Sequence, residues 1–346
     1  MKIDNLNIGK DKKPFIIAEL SGNHNQSLEK ALSLIELAKE SGADAVKIQT
    51  YTADTLTIDC DKDDFQLKDP NSLWHGMSMY ELYQIAHTPW EWHQAIFDKC
   101  KELEIICFSS PFDTTAVDFL ETLGCPCYKI GSTESTEPAL LKKVAMTGKP
   151  VIVSTGMATI QEIGEIVNLL ESNGCKEYAL LKCTAAYPAL PREANLATIP
   201  NMADLTGKPI GLSDHTMGIG VAVASIALGA TIIEKHFTSS RAEGGVDSAF
   251  SMEPAEFKQL VEECNKAYEA IGHIHYGTTK SENSRLSRRS LYIVEDVKKG
   301  DVLTERNVRA IRPGYGMPAK EYRNVLGLTV QEDASKGTRL TWELLK

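Results

Sequence analysis

About eight short β-rich runs recur along the chain, and each is followed by a segment with a helical pattern. The runs are residues 15–20, 45–50, 105–110, 127–132, 151–156, 178–184, 210–215 and 231–236. Nearly continuous apolar strands that alternate with helices are typical of a parallel sheet covered by helices. The pattern therefore predicts an α/β fold, either a closed (β/α)₈ TIM barrel or an open, doubly wound sheet.

Nearly every run ends in polar residues. The carboxyl ends of the strands form the active-site floor of a (β/α)₈ barrel, and residues two apart on a strand share a face. Three pairs are spaced in this way: Lys47 with Gln49, Ser213 with His215, and Glu234 with His236. The number of predicted strands is near eight, and almost every strand ends in polar groups. Both features favour the closed barrel over the open sheet.

Several helix starts carry capping signals. Ser27 precedes an amphipathic run over 28–40, and Thr159 is followed by Glu162 in the spacing of a capping box. Thr88-Pro-Trp-Glu91 has the same spacing with proline at the first helical position. Each is expected to begin a helix.

The pattern changes after about Gly272. Residues 1–272 are predicted to form the barrel, 273–289 a polar and basic linker, and 290–346 a small domain. Within that domain the segment 296–304 is echoed by 333–341, with Gly300 and Gly337 expected at turns that need a positive φ. Two similar units predict a compact pseudo-symmetric module.

Charge and composition exclude several classes of protein. The formal net charge is −10, and the absence of a Lys/Arg patch argues against a nucleic-acid surface. The start resembles no signal peptide, the longest apolar stretch is too short for a membrane span, and the eight scattered cysteines are expected to be reduced. A cytoplasmic protein without a membrane partner is predicted.

His215 and His236 end the last two strands, which are adjacent in a closed barrel. Two imidazoles that converge on a polar mouth suit a divalent transition metal, with carboxylates and waters completing the shell. The alternative is that both histidines only cap hydrogen bonds.

Hydroxyls and ammonium groups gather at neighbouring strand ends. Lys129 and Ser132 end one strand, Ser154 the next, and Ser213 another, which predicts an anion pocket. Lys47 also points inward, and an inward lysine destabilises a barrel unless it is paired or functional.

Other candidates lie close to the same mouth. Glu19 could move protons or anchor a sugar hydroxyl, or it could pair with an inward lysine. Tyr187 and Asp247 could contact sugar hydroxyls, although a loop aspartate is also a common turn residue.

Nearly the whole chain resembles the sialic acid synthase family, a barrel followed by an antifreeze-protein-like (SAF) domain. The matching motifs are Glu19 with Asn23-His24, Val46-Lys-Ile-Gln-Thr50, Ser109-Ser-Pro-Phe112, Tyr128-Lys-Ile-Gly-Ser132 with Glu134, Ser154-Thr-Gly-Met157, Gly211-Leu-Ser-Asp-His215, Ile233-Glu-Lys-His-Phe237 and Arg312-Pro-Gly314. Three further segments resemble the pseudaminic acid branch: Thr88-Pro-Trp-Glu-Trp-His93, Lys182-Cys-Thr-Ala-Ala-Tyr-Pro188 and Asp247-Ser-Ala-Phe-Ser251.

The resemblance implies a transferase that condenses phosphoenolpyruvate with an amino-sugar aldehyde. It implies a divalent metal, Mn²⁺ first with Mg²⁺ or Co²⁺ as alternatives, on His215 and His236. Phosphoenolpyruvate would lie against Lys47, Ser110, Lys129, Ser132, Ser154 and Ser213, and the sugar against Glu19, Gln49, Glu134, Tyr187 and Asp247, with Asn23 as a further substrate-binding residue. It also implies a domain-swapped homodimer in which Arg312 of one subunit reaches the barrel mouth of the other.

Three departures from the family pattern bear on the substrate. Ala185 replaces the usual asparagine of sialic acid synthases, Gln26 a usual glycine, and Val246 a common proline.

The alternatives to a synthase of the pseudaminic acid branch are a sialic or legionaminic acid synthase, a metal-dependent aldolase or keto-deoxy-sugar synthase, and a non-catalytic ligand- or ice-binding protein.

Overall fold

The computed structural model of the protein describes residues 1–70, 72–282 and 284–345. It divides into two compact units, Met1–Gly272 and His273–Lys346. Over the described ranges, no helix is both long enough and apolar enough to cross a lipid bilayer.

A closed barrel of eight parallel strands forms the first unit. An antiparallel pair, β1 (Lys2–Ile3) and β2 (Leu6–Asn7), precedes it. The barrel strands are β3 (Phe15–Glu19), β4 (Ala45–Thr50), β5 (Ile106–Pro111), β6 (Tyr128–Ile130), β7 (Val151–Ser154), β8 (Tyr178–Cys183), β9 (Ile210–Ser213) and β10 (Ile232–His236). Because β10 pairs with both β9 and β3, the ring is closed and the prediction of a TIM barrel is confirmed.

Helices follow the strands along the chain. They are α1 (Leu28–Glu40), α2 (Ala53–Leu56), α3 (Met79–Ala86), α4 (His93–Glu102), α5 (Thr114–Thr122), α6 (Pro138–Ala145), α7 (Ile160–Ser172), α8 (Thr198–Thr206), α9 (Gly220–Ala227) and α10 (Pro254–Ile271). The helices α2 and α3 lie in the long connection between β4 and α4. Apolar side chains of the strands and helices form one continuous core.

Two of the predicted helix starts are confirmed. The hydroxyl of Ser27 accepts from the Lys30 amide at 3.2 Å, which caps α1. Thr159 and Glu162 cap α7 reciprocally, since each side chain accepts from the other residue's backbone amide. Local capping chemistry decided these two boundaries.

A helical segment begins near the start predicted at Thr88, but the prediction that Thr88 caps it is wrong. A 3₁₀ turn, Trp90–Trp92, follows Pro89, and α4 begins only at His93. The buried hydroxyl of Thr88 lies 3.3 Å from Nε2 of His24, a tertiary contact that replaces the expected cap.

The register of the barrel aligns polar residues at one end. The paired residues there are Glu19 with Lys47, Gln49 with Ser110, and Ser213 with Glu234. Gly211 makes a close approach possible on β9, because a Cβ there would lie 2.5 Å from the Ile232 carbonyl oxygen. Only glycine fits that position, two residues before Ser213.

The second unit contains α11 (Ser284–Ser287), β11 (Ser290–Ile293), β12 (Val308–Ile311) and α12 (Tyr322–Val325). Strands β11 and β12 pair in antiparallel fashion over a small apolar core of their own. Most of the segment 273–289, for which a linker was predicted, is exposed; its residue Asn283 lies outside the described residues.

The two echoed segments of the second unit contact each other reciprocally. The carboxylate of Asp296 accepts from the Lys336 amide, and that of Asp333 accepts from the Lys299 amide. Gly300 and Gly337 have φ of 90° and 92°, as predicted. The sequence repeat is therefore a structural repeat, in which each copy satisfies backbone donors of the other.

Candidate active site

The carboxyl ends of the barrel strands surround a cavity of about 280 Å³. Thirteen residues singled out in the sequence line it: Glu19, Lys47, Gln49, Ser110, Lys129, Ser132, Glu134, Ser154, Tyr187, Ser213, His215, His236 and Asp247. Asn23 is not among the lining residues, and Arg312 belongs to the second unit. The cavity is thus lined by side chains from all eight strands of the barrel, and also by residues of α3 and of the loops.

Two lysines and two glutamates occupy the floor of the cavity. The Nζ of Lys47 lies 2.7 Å from Oε2 of Glu19 and 3.6 Å from Oε1 of Glu234. The Nζ of Lys129 lies 3.9 Å from the same Glu234 oxygen. All four residues are at most 5% exposed. In this array, two carboxylates balance two ammonium groups.

Burial and pairing shift the pKa values of these groups in different directions. Burial raises the pKa of Glu19, although Lys47 opposes this effect. Burial would also raise the pKa of Glu234, but Lys129 and Lys47 outweigh it and lower that pKa. Burial lowers the pKa of Lys129. At Lys47 the carboxylates of Glu19 and Glu234 outweigh burial and raise the pKa. Lys129 is therefore the less fully neutralised cation.

Hydroxyl groups surround the two ammonium groups. Lys129 donates to Oγ of Ser154 at 2.7 Å, and Lys47 donates to Oγ of Ser110 at 3.2 Å. The Gly156 amide donates to Oγ of Ser132 at 3.0 Å; a Cβ on Gly156 would lie 2.7 Å from that oxygen. Hydroxyls and an ammonium group gathered in this way can bind an oxyanion.

His215 and His236 face each other with ring centroids 5.3 Å apart. Nδ1 of His215 lies 3.0 Å from the Thr184 carbonyl oxygen. Since a carbonyl only accepts, Nδ1 carries a proton, and Nε2 is the ring nitrogen left for a metal ion. Burial opposes protonation of His215, but Cys183 and Thr184 outweigh it and raise the pKa of the ring. Burial lowers the pKa of His236 well below its usual value, so its ring is neutral. The buried Nδ1 of His236 has no hydrogen-bond partner and lies 3.8 Å from Oδ2 of Asp247.

These two rings fit a divalent metal as a partial ligand set. Imidazole nitrogens and a nearby carboxylate are donors that such ions accept, and a bound ion would displace the proton that the raised pKa of His215 favours. Within the described ranges no group of three or more His, Cys, Asp or Glu residues is arranged to hold a metal. Substrate oxygens or waters would have to supply the remaining ligands.

Asn23 holds the loop that carries Asp247. Its amide donates to the Phe237 carbonyl and to Oγ of Ser251, both at 2.9 Å, and its Oδ1 accepts from the Asp247 amide. Ser21 donates a short hydrogen bond to the Asp247 carboxylate, whose pKa is raised by burial. The side chain of Asn23 is thus engaged within the protein rather than directed into the cavity.

Several lining residues had no assigned role in the sequence. They are Ser21, Tyr51, Leu67, Trp74, Leu82, Tyr83, Ala86, Phe112, Gly131, Thr133, Cys183, Glu234 and Val246. Strand parity with His236 placed Glu234 at the mouth without giving it a function. Leu82, Tyr83 and Ala86 lie on α3, in the connection between β4 and α4, where no helix was predicted.

One departure from the family pattern has a structural explanation. Gln26, which replaces a usual glycine, has φ of 54°, a region that glycine adopts readily. Its side chain donates to the Ile85 and His87 carbonyls at 3.0 and 2.7 Å. These two hydrogen bonds stabilise the left-handed backbone.

Comparison with known proteins identifies relatives across the whole chain. A pseudaminic acid synthase of Campylobacter jejuni subsp. jejuni (strain 81-176) is 42% identical over 98% of each chain, and one of Helicobacter pylori is 40% identical over 95% of this chain and 96% of its own. An N,N'-diacetyllegionaminic acid synthase of C. jejuni is 39% identical over 91% of this chain and 95% of its own.

A solved structure shares the fold. The N-acetylneuraminic acid synthetase of Leptospira borgpetersenii, in complex with citrate, superposes with a TM-score of 0.73 at 30% identity, covering 81% of this chain and 93% of its own. The NeuB family model matches residues 34–276 and the SAF domain model residues 288–346. The predicted family is thereby confirmed, and the chain belongs to the NeuB family, with a barrel followed by a SAF domain.

Proposed function

We propose that the protein is a pseudaminic acid synthase, an enzyme that condenses phosphoenolpyruvate with 2,4-diacetamido-2,4,6-trideoxy-L-altrose and water to give pseudaminic acid and phosphate. The observation that carries this proposal is the 40–42% identity, over nearly the full chain, to relatives with that name. The ammonium, carboxyl, hydroxyl and imidazole groups that line the cavity also support this proposal.

Phosphoenolpyruvate would bind where Lys129, Ser132 and Ser154 meet. Lys129 lies 3.9 Å from a Glu234 oxygen, whereas Lys47 lies 2.7 Å from Glu19, so the charge of Lys129 is the more available of the two to an anion. The Ser132 and Ser154 hydroxyls lie within hydrogen-bond reach of backbone or ammonium donors and can rotate toward phosphate oxygens. Ser110, Ser213 and Lys47 would complete the anion site.

The charges on the cavity floor support the proposal that binding of phosphoenolpyruvate requires additional positive charge. Lys47 and Lys129 are already balanced by Glu19 and Glu234, whereas phosphoenolpyruvate brings several negative charges. We propose that His215 and His236 hold a divalent ion, with Mn²⁺ as the first candidate. Such an ion would supply Lewis-acid polarisation of the sugar aldehyde.

The chemistry follows from the electron demand of the reactants. The CH₂ carbon of phosphoenolpyruvate attacks the aldehyde carbon, a C–C bond forms, and the aldehyde oxygen takes up a proton. Positive charge develops on the phosphate-bearing carbon, where water adds and loses a proton. Cleavage of the C–O bond then expels phosphate and leaves a 2-keto acid.

Buried groups at the floor would manage this charge. Glu19, whose pKa is raised by burial, would exchange a proton with the reacting oxygens or stabilise the developing cation. Lys129 would balance phosphate charge as the C–O bond breaks. Gln49, which donates to Glu19 at 2.8 Å, would orient that carboxyl group.

The sugar would lie above the floor, near Glu134, Tyr187 and Asp247. Asn23 would act through the Asp247 loop, as a positioning residue. We also propose a cytoplasmic homodimer in which Arg312 of the partner subunit completes each site. Mixing Arg312→Ala with Glu19→Gln protein should then restore activity in about one quarter of the sites after subunit exchange.

The reaction itself is tested by incubating the purified protein with Mn²⁺, phosphoenolpyruvate and one of two sugars. With the diacetamido-trideoxy sugar, phosphate release and a product of the mass of pseudaminic acid are expected. Turnover of N-acetylmannosamine alone would keep the family and the mechanism but overturn the proposed substrate.

A further inference from the structure

The cavity is lined unevenly. Its floor is polar, but its lining also includes four apolar residues from the connection between β4 and α4, Leu67, Trp74, Leu82 and Ala86, and Val246 from the loop after β10, beside the aromatic rings of Tyr51, Tyr83 and Phe112. We call the first five of these residues the apolar wall. Nothing in the proposed reaction requires such a surface, since phosphate, carboxylate, aldehyde and water are all polar.

The apolar wall is held in place by contacts of its own. Leu82 and Ala86 lie four residues apart on α3, hence on the same face of the helix, and are 7% and 9% exposed. Nε1 of Trp74 donates to the Val246 carbonyl at 3.0 Å. The single polar atom of the indole is therefore occupied, and the wall offers a substrate no side-chain hydrogen bond.

A substrate group against this surface must do without a hydrogen-bonding partner. A hydroxyl group placed there would lose its water and gain no replacement, whereas a methyl group would leave water favourably. Hydroxyl-rich sugars are thus disfavoured at the wall, and sugars that carry methyl groups are favoured.

We infer that the apolar wall determines specificity by contacting methyl groups of the sugar, either that of a deoxy carbon or those of its acylamino groups. This inference rests on the proposed function, because it concerns the sugar half of that reaction. It assigns the discrimination to side chains that take no part in proton transfer or anion binding.

Three sugars and three variants test it. The sugars are the diacetamido-trideoxy sugar, its 6-hydroxy analogue and its analogue with glycolyl in place of acetyl groups. The variants are Leu82→Gln, Leu67→Gln on a half-buried loop position, and the control Ile85→Gln. Ile85 lies on the same helix as Leu82, is 46% exposed, and does not line this cavity.

The unaltered protein should prefer the methyl-bearing sugar over at least one hydroxylated analogue by roughly 10- to 200-fold in kcat/KM. Both wall variants should shrink that ratio by about tenfold or more while leaving the KM for phosphoenolpyruvate unchanged. The control should keep the ratio. Equal turnover of all three sugars by the unaltered protein, or unchanged ratios in both wall variants, would overturn the inference.

Failure of the proposed function is separable from failure of this inference. If no sugar supports phosphate release, calorimetric affinities for the same three sugars replace kcat/KM. A methyl preference in binding that both wall variants reduce would uphold the apolar wall without the reaction. If none of the three sugars binds, both the proposed function and the role of the apolar wall are overturned.

Discussion

Lys47 and Glu19 form an ion pair across adjacent strands of the barrel, with Nζ of Lys47 2.7 Å from Oε2 of Glu19. Both side chains are almost fully buried. Although the charge of Lys47 opposes it, burial raises the pKa of Glu19. A buried carboxyl group beside a cation, at the end of a strand that opens on the cavity, is suited to moving a proton.

Glu19→Gln should lower kcat by about 10²- to 10⁴-fold, the usual contribution of a positioned acid or base. The KM for phosphoenolpyruvate should not rise, because the change removes negative charge near an anionic substrate. Steady-state kinetics with a circular dichroism check of folding would measure both. A variant with unchanged kcat would exclude Glu19 from proton transfer.

Lys129→Met should lower kcat/KM for phosphoenolpyruvate by about 10²- to 10³-fold, because an ammonium group aimed at the phosphate is lost. Lys182→Met is the matched control. Lys182 is on β8, donates to the Cys183 carbonyl at 2.7 Å, and does not line the cavity. If the two variants lose activity equally, the role given to Lys129 is wrong.

His236→Ala should abolish tight binding of Mn²⁺, measured by calorimetry or by metal analysis after gel filtration. The buried Nδ1 of His236 has no hydrogen-bond partner among the described residues, and the variant removes one of the two proposed imidazole ligands. His273→Ala, in an exposed part of the chain, should bind the metal normally. Metal stoichiometry that is the same in both variants would contradict the proposed site.

Lys235→Met should destabilise the fold by about 3–5 kcal/mol, the usual effect of leaving one partner of a buried ion pair unpaired. Lys235 donates to Oδ2 of Asp214 at 2.8 Å and to the Thr216 carbonyl at 2.6 Å, and both partners of the ion pair are buried. The double variant Lys235→Met with Asp214→Asn should recover part of the loss. Urea unfolding measures this; additive losses would show that the pair is not coupled.

The stability of the fold should fall as the pH drops from about 6.5 to about 4. Burial lowers the pKa values of His24 and His93 to about 4, whereas an unfolded histidine titrates near 6.5. In that window the unfolded state binds protons that the folded state does not, so each histidine costs up to about 3 kcal/mol of stability at the acid end.

The variant His93→Gln should therefore show a smaller loss of stability between pH 7 and pH 4.5 than the unaltered protein. His275→Gln, an exposed position, is the control and should leave the loss unchanged. Urea unfolding at several pH values gives the slopes. A slope that His93→Gln leaves intact would mean that other groups cause the acid sensitivity.

Much of the site could be predicted because it obeys local rules. Strand parity alone placed Lys47 with Gln49 and Glu234 with His236 at one mouth, and closure of the barrel brought His215 beside His236. Capping chemistry located the start of α1 at Ser27. The parity and capping signals each lie within a few residues, so the sequence contains them, and the count of eight strands predicts the closure.

Other features depended on contacts between distant segments. The sequence predicted Asn23 as a substrate-binding residue, but its amide donates to Phe237 and Ser251, more than 200 residues away. Thr88 had the pattern of a helix cap, yet its hydroxyl contacts His24 instead. No spacing rule reports such partners.

The sequence by itself determined the barrel, its polar mouth and the repeat of the small domain, because hydrophobic periodicity and residue type dictate these features locally. Only the tertiary structure decided that Glu234 lies between Lys47 and Lys129, and that Trp74 and Val246 join Leu82 in the apolar wall. Those arrangements arise where irregular connections and separate strands converge in space. Their energies come from pairing and burial between remote residues, which a linear pattern does not encode.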